Sequence, residues 1–202
     1  MWQDVWPALG LSLKVAFWAT FLNLLLGIAV GFLLARRNFS GRDLLDTVLT
    51  LPMVLPPTVL GYYLLVLFGR NGTIGQWLNH TFDIRLIFTW QGAVLAAMVV
   101  TFPLVFKPAR AAFEGVNPQL EQAARVLGLS AWRGLLVGLL LAFARALGEF
   151  GATLMIAGSI PGQTQTLSIA VYEAVQAGND SLANQLVLLI STVCITVLWT
   201  TS

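Results

Sequence analysis

The sequence predicts an all-α fold, a polytopic bundle of about five membrane-spanning helices. Three observations carry this. Of the 202 residues, 57% are apolar and only 10% are charged, well below the roughly 25% charged of an ordinary soluble domain. The mean hydropathy is +0.81. Five separate apolar stretches each reach the ~20 residues that a helix needs to cross the hydrocarbon core. A soluble globule of this size needs a charged skin, so the solvent for most of the chain is lipid. That excludes a soluble enzyme and a disordered tail. The formal charge of +2 is too small to mark a nucleic-acid partner. Cys194 and His80 are the only residues of their types, so no intrachain disulfide and no Cys-based or multi-histidine metal site is expected. No cofactor is expected either.

The first expected span covers residues 11–35 and the second 44–68. The third covers 88–109 and the fourth 134–157. The fifth runs from 184 to the end. All are too long and continuous for barrel strands. Orientation follows from the cations. Arg36, Arg37 and Arg42 lie between spans one and two, and Lys107, Arg110, Arg125 and Arg133 between spans three and four. Those seven oppose three, Lys14, Arg70 and Arg85, while Arg145 sits inside a span. The positive-inside rule places the seven in the cytoplasm. The N-terminus is then outside and the C-terminus inside. The start does not read as a cleaved leader, because it lacks a basic n-region and Asp4 precedes the first cation. Lys14 is near the outer end of span one and can snorkel outward. Trp2, Trp6, Trp77 and Trp90 fall near the expected interfaces, as an aromatic belt requires.

Only two lysines are present, preceded by Leu13 and Phe106. A P-loop needs Gly before its Lys, and no Gly-x-Ser-x-Gly elbow occurs. The chain is therefore not expected to be an enzyme. If it moves a solute uphill, the energy enters through another chain.

The longest stretch on the basic side, residues 114–133, reads EGVNPQLEQAARVLGLSAWR. Asn117 and Pro118 form a helix-start signal. Leu120, Ala123, Ala124 and Leu127 recur at helical spacing, and Gly128 reads as the stop. One reading is a surface helix that only caps the bundle. The other is a docking element for a partner.

Inside the membrane, Pro52, Pro56 and Pro57 interrupt span two. Each removes an N–H and frees a carbonyl one turn earlier, and in lipid that carbonyl needs a partner or a watery cavity. The bend is either a packing kink or the lining of a translocation path. Arg145 and Glu149 are four apart near the middle of span four and share one helix face. They either neutralise each other or border a path, with Arg145 meeting an anion and Glu149 restraining it. Residues 70–90 and 159–179 are expected as outer loops. The second contains an amphipathic piece over 167–175, which either dips toward the membrane or meets an extracytoplasmic protein.

Gln122-Ala123-Ala124, with Gly128 after three intervening residues, resembles the EAA motif of ABC importer permeases. Leu51 to Tyr62, the Gly69-Arg70-Asn71-Gly72 and Ile74-Gly75 pieces, Phe143 to Thr153 and Ile160 to Thr164 are similar to the molybdate-type subfamily. The resemblance implies a single permease domain over 1–202, with a cytoplasmic coupling helix in the loop 114–133. Glu121, Gln122, Ala123, Ala124 and Gly128 are then the ATPase-coupling residues. It also implies a homodimer in the bacterial inner membrane, two ATP-binding subunits, a periplasmic molybdate-binding protein and molybdate as substrate. Sulfate or tungstate is the alternative cargo. The chain departs from the family pattern in two places. Gln122 stands where a Glu usually opens the motif. After Arg133 an apolar run follows at once, with no Pro before Pro161, so part of the coupling loop is absent. That departure makes a non-transporting membrane scaffold the rival from another class.

The charge count generates a test. A reporter fused at the N-terminus is expected to be reached only from the periplasm, and one inserted within 117–128 only from the cytoplasm. Labelling of both from one side overturns the five-span topology.

Overall fold

A computed structural model describes residues 2–114 and 131–199. Nine helices account for the regular structure of those residues: α1 (Trp2–Arg36), α2 (Arg42–Val54), α3 (Pro57–Phe68), α4 (Thr73–Phe82), α5 (Trp90–Glu114), α6 (Ala131–Leu147), α7 (Gly151–Ala157), α8 (Leu167–Gln176) and α9 (Asp180–Trp199). Three of these, α1, α5 and α9, are long and apolar enough to cross a membrane alone. The pairs α2–α3 and α6–α7 qualify only as bent units, which brings the number to as many as five.

The centre of the bundle is α5. Of its most apolar window 61% is buried, against 28% in α1 and 11% in α9, so α1 and α9 leave most of their apolar surface for lipid or partners. Helices cannot associate in lipid by hiding apolar surface from water, so close packing of small residues must do it. On α5, Ala93, Ala97, Thr101, Val105 and Ala109 recur every fourth residue, and all are buried. Ala19, Asn23, Gly27 and Gly31 do the same on α1. The fit is tight: a Cβ at Gly31 would lie 3.0 Å from the Arg110 backbone nitrogen. Midway along this seam Asn23 Nδ2 donates to Thr101 Oγ1 at 2.9 Å and to the Met98 carbonyl at 3.0 Å. Thr101 in turn donates to the Ala97 carbonyl.

Two of the expected spans are pairs of helices joined at a bend. Residues 44–68 do not form one straight span, because α2 and α3 meet at a bend of 119°. A residue before proline is pushed out of the helical region by the next ring. Leu55 precedes Pro56 and Pro56 precedes Pro57, and both are extended (φ −70°, ψ 141° and φ −55°, ψ 136°). Pro57 then opens α3, where its missing N–H is harmless. Residues 134–157 are likewise split, by a break at Gly148–Phe150 with a 59° bend.

The short α7 wedges between α3 and α5. A Cβ at Gly61 would lie 2.8 Å from Met155 Cβ and 2.9 Å from Ala152 Cα. Leu60, Leu64, Ala96, Val100, Ala152 and Ile156 form the buried cluster between the three helices. The Phe88 N–H bonds the Ile156 carbonyl at 2.9 Å. Pro108 leaves the Leu104 carbonyl without its helical donor, and α6 approaches it there: a Cβ at Gly138 would lie 2.7 Å from Leu104 O.

The expected amphipathic piece over 167–175 is α8. It packs on the start of α1 and on α9 through Val5, Ala8, Leu167, Ala174, Ala183 and Leu186, and the Leu167 N–H donates to Ser12 Oγ at 2.7 Å. Lys14 does not simply reach outward. Its ammonium lies 3.6 Å from the centre of the Trp90 ring, so a cation–π contact pins α1 to the first turn of α5. Helix α4, in a stretch expected as loop, is amphipathic: Ile74, Trp77 and Leu78 share one face at helical spacing.

Two glycine substitutions separate packing from helix propensity. Gly61→Ala forces backbone movement and is expected to cost about 1–3 kcal/mol, read as a lower unfolding midpoint in detergent. At Gly10 a Cβ meets nothing within 4 Å, so Gly10→Ala is expected to be neutral or to stabilise by up to ~1 kcal/mol.

Candidate functional site

Arg145 and Glu149 do meet, at 2.7 Å between Nη1 and Oε2, but not on one continuous helix face in mid-span. Helix α6 ends at Leu147, and Glu149 stands in the break before α7. Its second oxygen, Oε1, accepts the Ala152 N–H at 2.9 Å. One carboxylate therefore neutralises a cation in the last turn of α6 and satisfies an orphan donor at the start of α7. Both placements agree with the helix dipoles. The pair is lopsided: the Glu149 side chain is 1% exposed and that of Arg145 39%. The buried charge is fully engaged, while the guanidinium keeps donors directed away from the pair.

The three span-two prolines sit at the bend. Pro52 lies inside α2, Pro56 precedes α3 and Pro57 is its first residue. The α2 surface beside the bend is apolar and open, with Met53 64% and Val54 78% exposed. Pro57 also touches the break in α6–α7, since a Cβ at Gly151 would lie 3.0 Å from Pro57 Cβ. The structure thus brings the bend of α2–α3 against the break that holds Glu149.

A second polar group was not anticipated. Asp46 of α2 pairs with Lys107 at 3.0 Å and with Arg110 at 2.6 Å, both on α5. Arg110 also binds Glu114 at 2.8 Å, and Glu114 binds Arg42 at 2.5 Å. Arg42 donates further to Asn38. Helix α2 contains no buried residue, so these ion pairs, rather than an apolar core, anchor it. The available signal was the pair of carboxylates, Asp46 and Glu114, among cations assigned to a single side. The expected coupling residues Glu121, Gln122, Ala123, Ala124 and Gly128 lie outside the described residues; Glu114 is the last described residue before them.

A family model described as "Binding-protein-dependent transport system inner membrane component" matches residues 27–202. The molybdenum transport system permease protein ModB of Escherichia coli (strain K12) is 49% identical over 194 residues, covering 90% of this chain and 85% of that protein. The sulfate transport system permease protein CysW of Synechococcus elongatus is 36% identical over 200 residues, covering 93% and 70%. Among solved structures, a bacterial ABC transporter involved in the import of the acidic polysaccharide alginate matches with a TM-score of 0.64. That match has 14% identity and covers 96% of this chain and 76% of the other, so it speaks to the fold.

The lopsided pair predicts unequal mutants. Arg145→Leu leaves a buried carboxylate uncompensated and is expected to lose roughly 3 kcal/mol, the low end for a broken buried pair because Arg145 is partly solvated. Glu149→Leu loses the ion pair and also the acceptor for Ala152 N–H, so it is expected to unfold more readily than Glu149→Gln. The double Leu variant is expected to recover only part of the loss. Thermal unfolding in detergent measures this; independent, additive losses would dismiss the pair as a structural unit.

Proposed function

We propose, because the chain belongs to the family of binding-protein-dependent transport system inner membrane components, that it is the membrane-spanning permease of an ATP-driven importer of molybdate. The single observation that carries the substrate is the higher identity to the molybdenum permease than to the sulfate permease. Tungstate, nearly equal to molybdate in size and charge, is the alternative cargo. The extent of that identity, and the preserved helical bundle, support a transporting subunit over a membrane scaffold.

On this reading the chain works as a homodimer in the bacterial inner membrane, with the path between the two copies. Two ATP-binding subunits sit on the side of the seven cations and a periplasmic molybdate-binding protein on the other. The chain supplies no phosphate-binding loop, so ATP is hydrolysed in the separate subunits. Glu121, Gln122, Ala123, Ala124 and Gly128 form the coupling surface. Glu114, the last residue of α5 and seven positions before Glu121 in the sequence, is ion-paired to Arg42 of α2, so displacement of the coupling segment pulls on both α5 and α2. Helix α2 moves about the Leu55–Pro56 bend, which the prolines hold open. Pro52, Pro56 and Pro57 therefore lie along the path. Arg145, neutralised on one side by Glu149, presents a weakened positive site, which suits passage of a dianion better than tight retention.

Proteoliposomes holding the chain, its ATPase and its binding protein test this. Uptake of molybdate is expected to require ATP and the binding protein, and to exceed uptake of sulfate by at least tenfold, a difference of about 1.4 kcal/mol. Absence of ATP-driven uptake, with a stable complex in hand, overturns the reading in favour of a scaffold. Equal sulfate uptake overturns the substrate.

A further inference from the structure

A sizeable cavity lies at the Lys14 end of the bundle, away from the Arg145–Glu149 pair and from the Asp46 cluster. It is a cleft of about 690 Å³ between the last turns of α3, the Gly69–Gly72 corner, α4 and the strand of chain before α5. That size falls within the roughly 300–1,000 Å³ of ligand pockets. Its walls are apolar: Leu65, Phe68, Leu78, Ile84, Leu86 and Phe88 face it. Two guanidinium groups, Arg70 and Arg85, line it together with Asn71 and Asn79, and no carboxylate does. Arg85 Nε donates to Asn79 Oδ1 at 3.2 Å, which orients its fork. Arg70 carries no ion pair to any described residue.

The corner is built to stay rigid. A Cβ at Gly72 would lie 2.3 Å from the carbonyl oxygens of Val66 and Leu67, and one at Gly75 would lie 2.2 Å from Gly69 O. Only glycine lets α4 fold back this closely on α3, and the fold-back creates the cleft. The Gly69-Arg70-Asn71-Gly72 and Ile74-Gly75 pieces, which the transport reading leaves without a task, are what shape it.

An apolar cleft with cations and no anions selects an amphiphile with a negative head. A free tetrahedral oxyanion gains nothing from the apolar walls, and a soluble protein's docking surface is more polar than this one. The surroundings are those of a bilayer boundary. Trp77 and Phe82, stacked edge to face at 5.6 Å, are each 58% exposed, and Phe88 is 62% exposed. Aromatic side chains of this kind settle at the headgroup level. We propose that this cleft is a binding site for one anionic phospholipid per chain, its acyl chain against the α3–α4 wall and its phosphodiester on Arg70 and Arg85. This does not depend on which oxyanion is transported.

The test is native mass spectrometry of the purified full-length chain titrated with phosphatidylglycerol or phosphatidylcholine. The unaltered chain is expected to retain one phosphatidylglycerol per copy under conditions that strip phosphatidylcholine. Arg70→Gln and Arg85→Gln are each expected to weaken retention about tenfold, the loss of one charged hydrogen-bonding partner. Arg70→Lys and Arg85→Lys are expected to retain the lipid, which keeps the test open if a Gln variant misfolds. Arg37→Gln, at the opposite end, is expected to change nothing. Equal retention of phosphatidylcholine overturns the proposal, as does displacement of the lipid by millimolar inorganic phosphate, which marks a free-anion site. Loss of binding-protein-stimulated ATPase in the Gln variants with lipid retention intact also overturns it, since the arginines would then serve a protein contact.

Discussion

Everything in this bundle is arranged around the contact between α1 and α5. In lipid, two helices gain little by hiding Leu from the surroundings, so they must approach until backbone and small side chains touch. The four-residue rows Ala19-Asn23-Gly27-Gly31 and Ala93-Ala97-Thr101-Val105-Ala109 permit that approach. Asn23 and Thr101 add a hydrogen bond at its middle, and a slip of one turn would leave that amide unpaired in an apolar seam. Length alone lets either helix slide; the hydrogen bonds of Asn23 and the seat of Lys14 on Trp90 set the register. With α5 held, its other faces present fixed surfaces to α3, α6 and α7, and both bent pairs are positioned by what they find there.

Much of this was written legibly in the amino acids. The three unbroken spans follow from apolar run length, and α8 from its periodicity. The bend in 44–68 was legible from Pro56 and Pro57, but its size was not, because the angle depends on where α3 finds Gly61 opposite Ala152. The break at Gly148–Phe150 contains no proline and was read through as helix. Its signal was quieter: a glycine after the last apolar turn, then a carboxylate placed to receive the Ala152 N–H. Four-residue spacing correctly paired Arg145 with Glu149 while assigning the pair to the wrong geometry. The Asp46 cluster escaped because cations were counted by side and carboxylates were not matched to them, and the coupling motif lies outside the described residues.

The two charged groups solve opposite problems. Glu149 is buried, and burial of a lone carboxylate is so unfavourable that each of its oxygens must have a partner. A cation and a backbone N–H supply them, and in doing so they splice α6 to α7 across the break. The Asp46 cluster is half-solvated and shared among five side chains on two helices. Each of its contacts contributes little alone, as partly exposed ion pairs do, and no single one is indispensable. One group splices two helices across a break; the other ties to α5 a helix that has no residue in the core.

That α2 has no residue in the core gives it a distinct standing in the energy landscape. A helix that surrendered buried apolar surface would have to be pulled out against the hydrophobic and packing terms, and its neighbours would be left with a void. Helix α2 has only half-buried side chains, Leu45 and Leu49 among them, to surrender. Its detachment would exchange partly solvated charge pairs for water and pivot on two extended residues, which places it toward the low-energy end of the openings expected of such a bundle. In the proposed cycle α2 would serve as a crank with a weak catch and a stiff pivot, its swing leaving the α1–α5 frame in place.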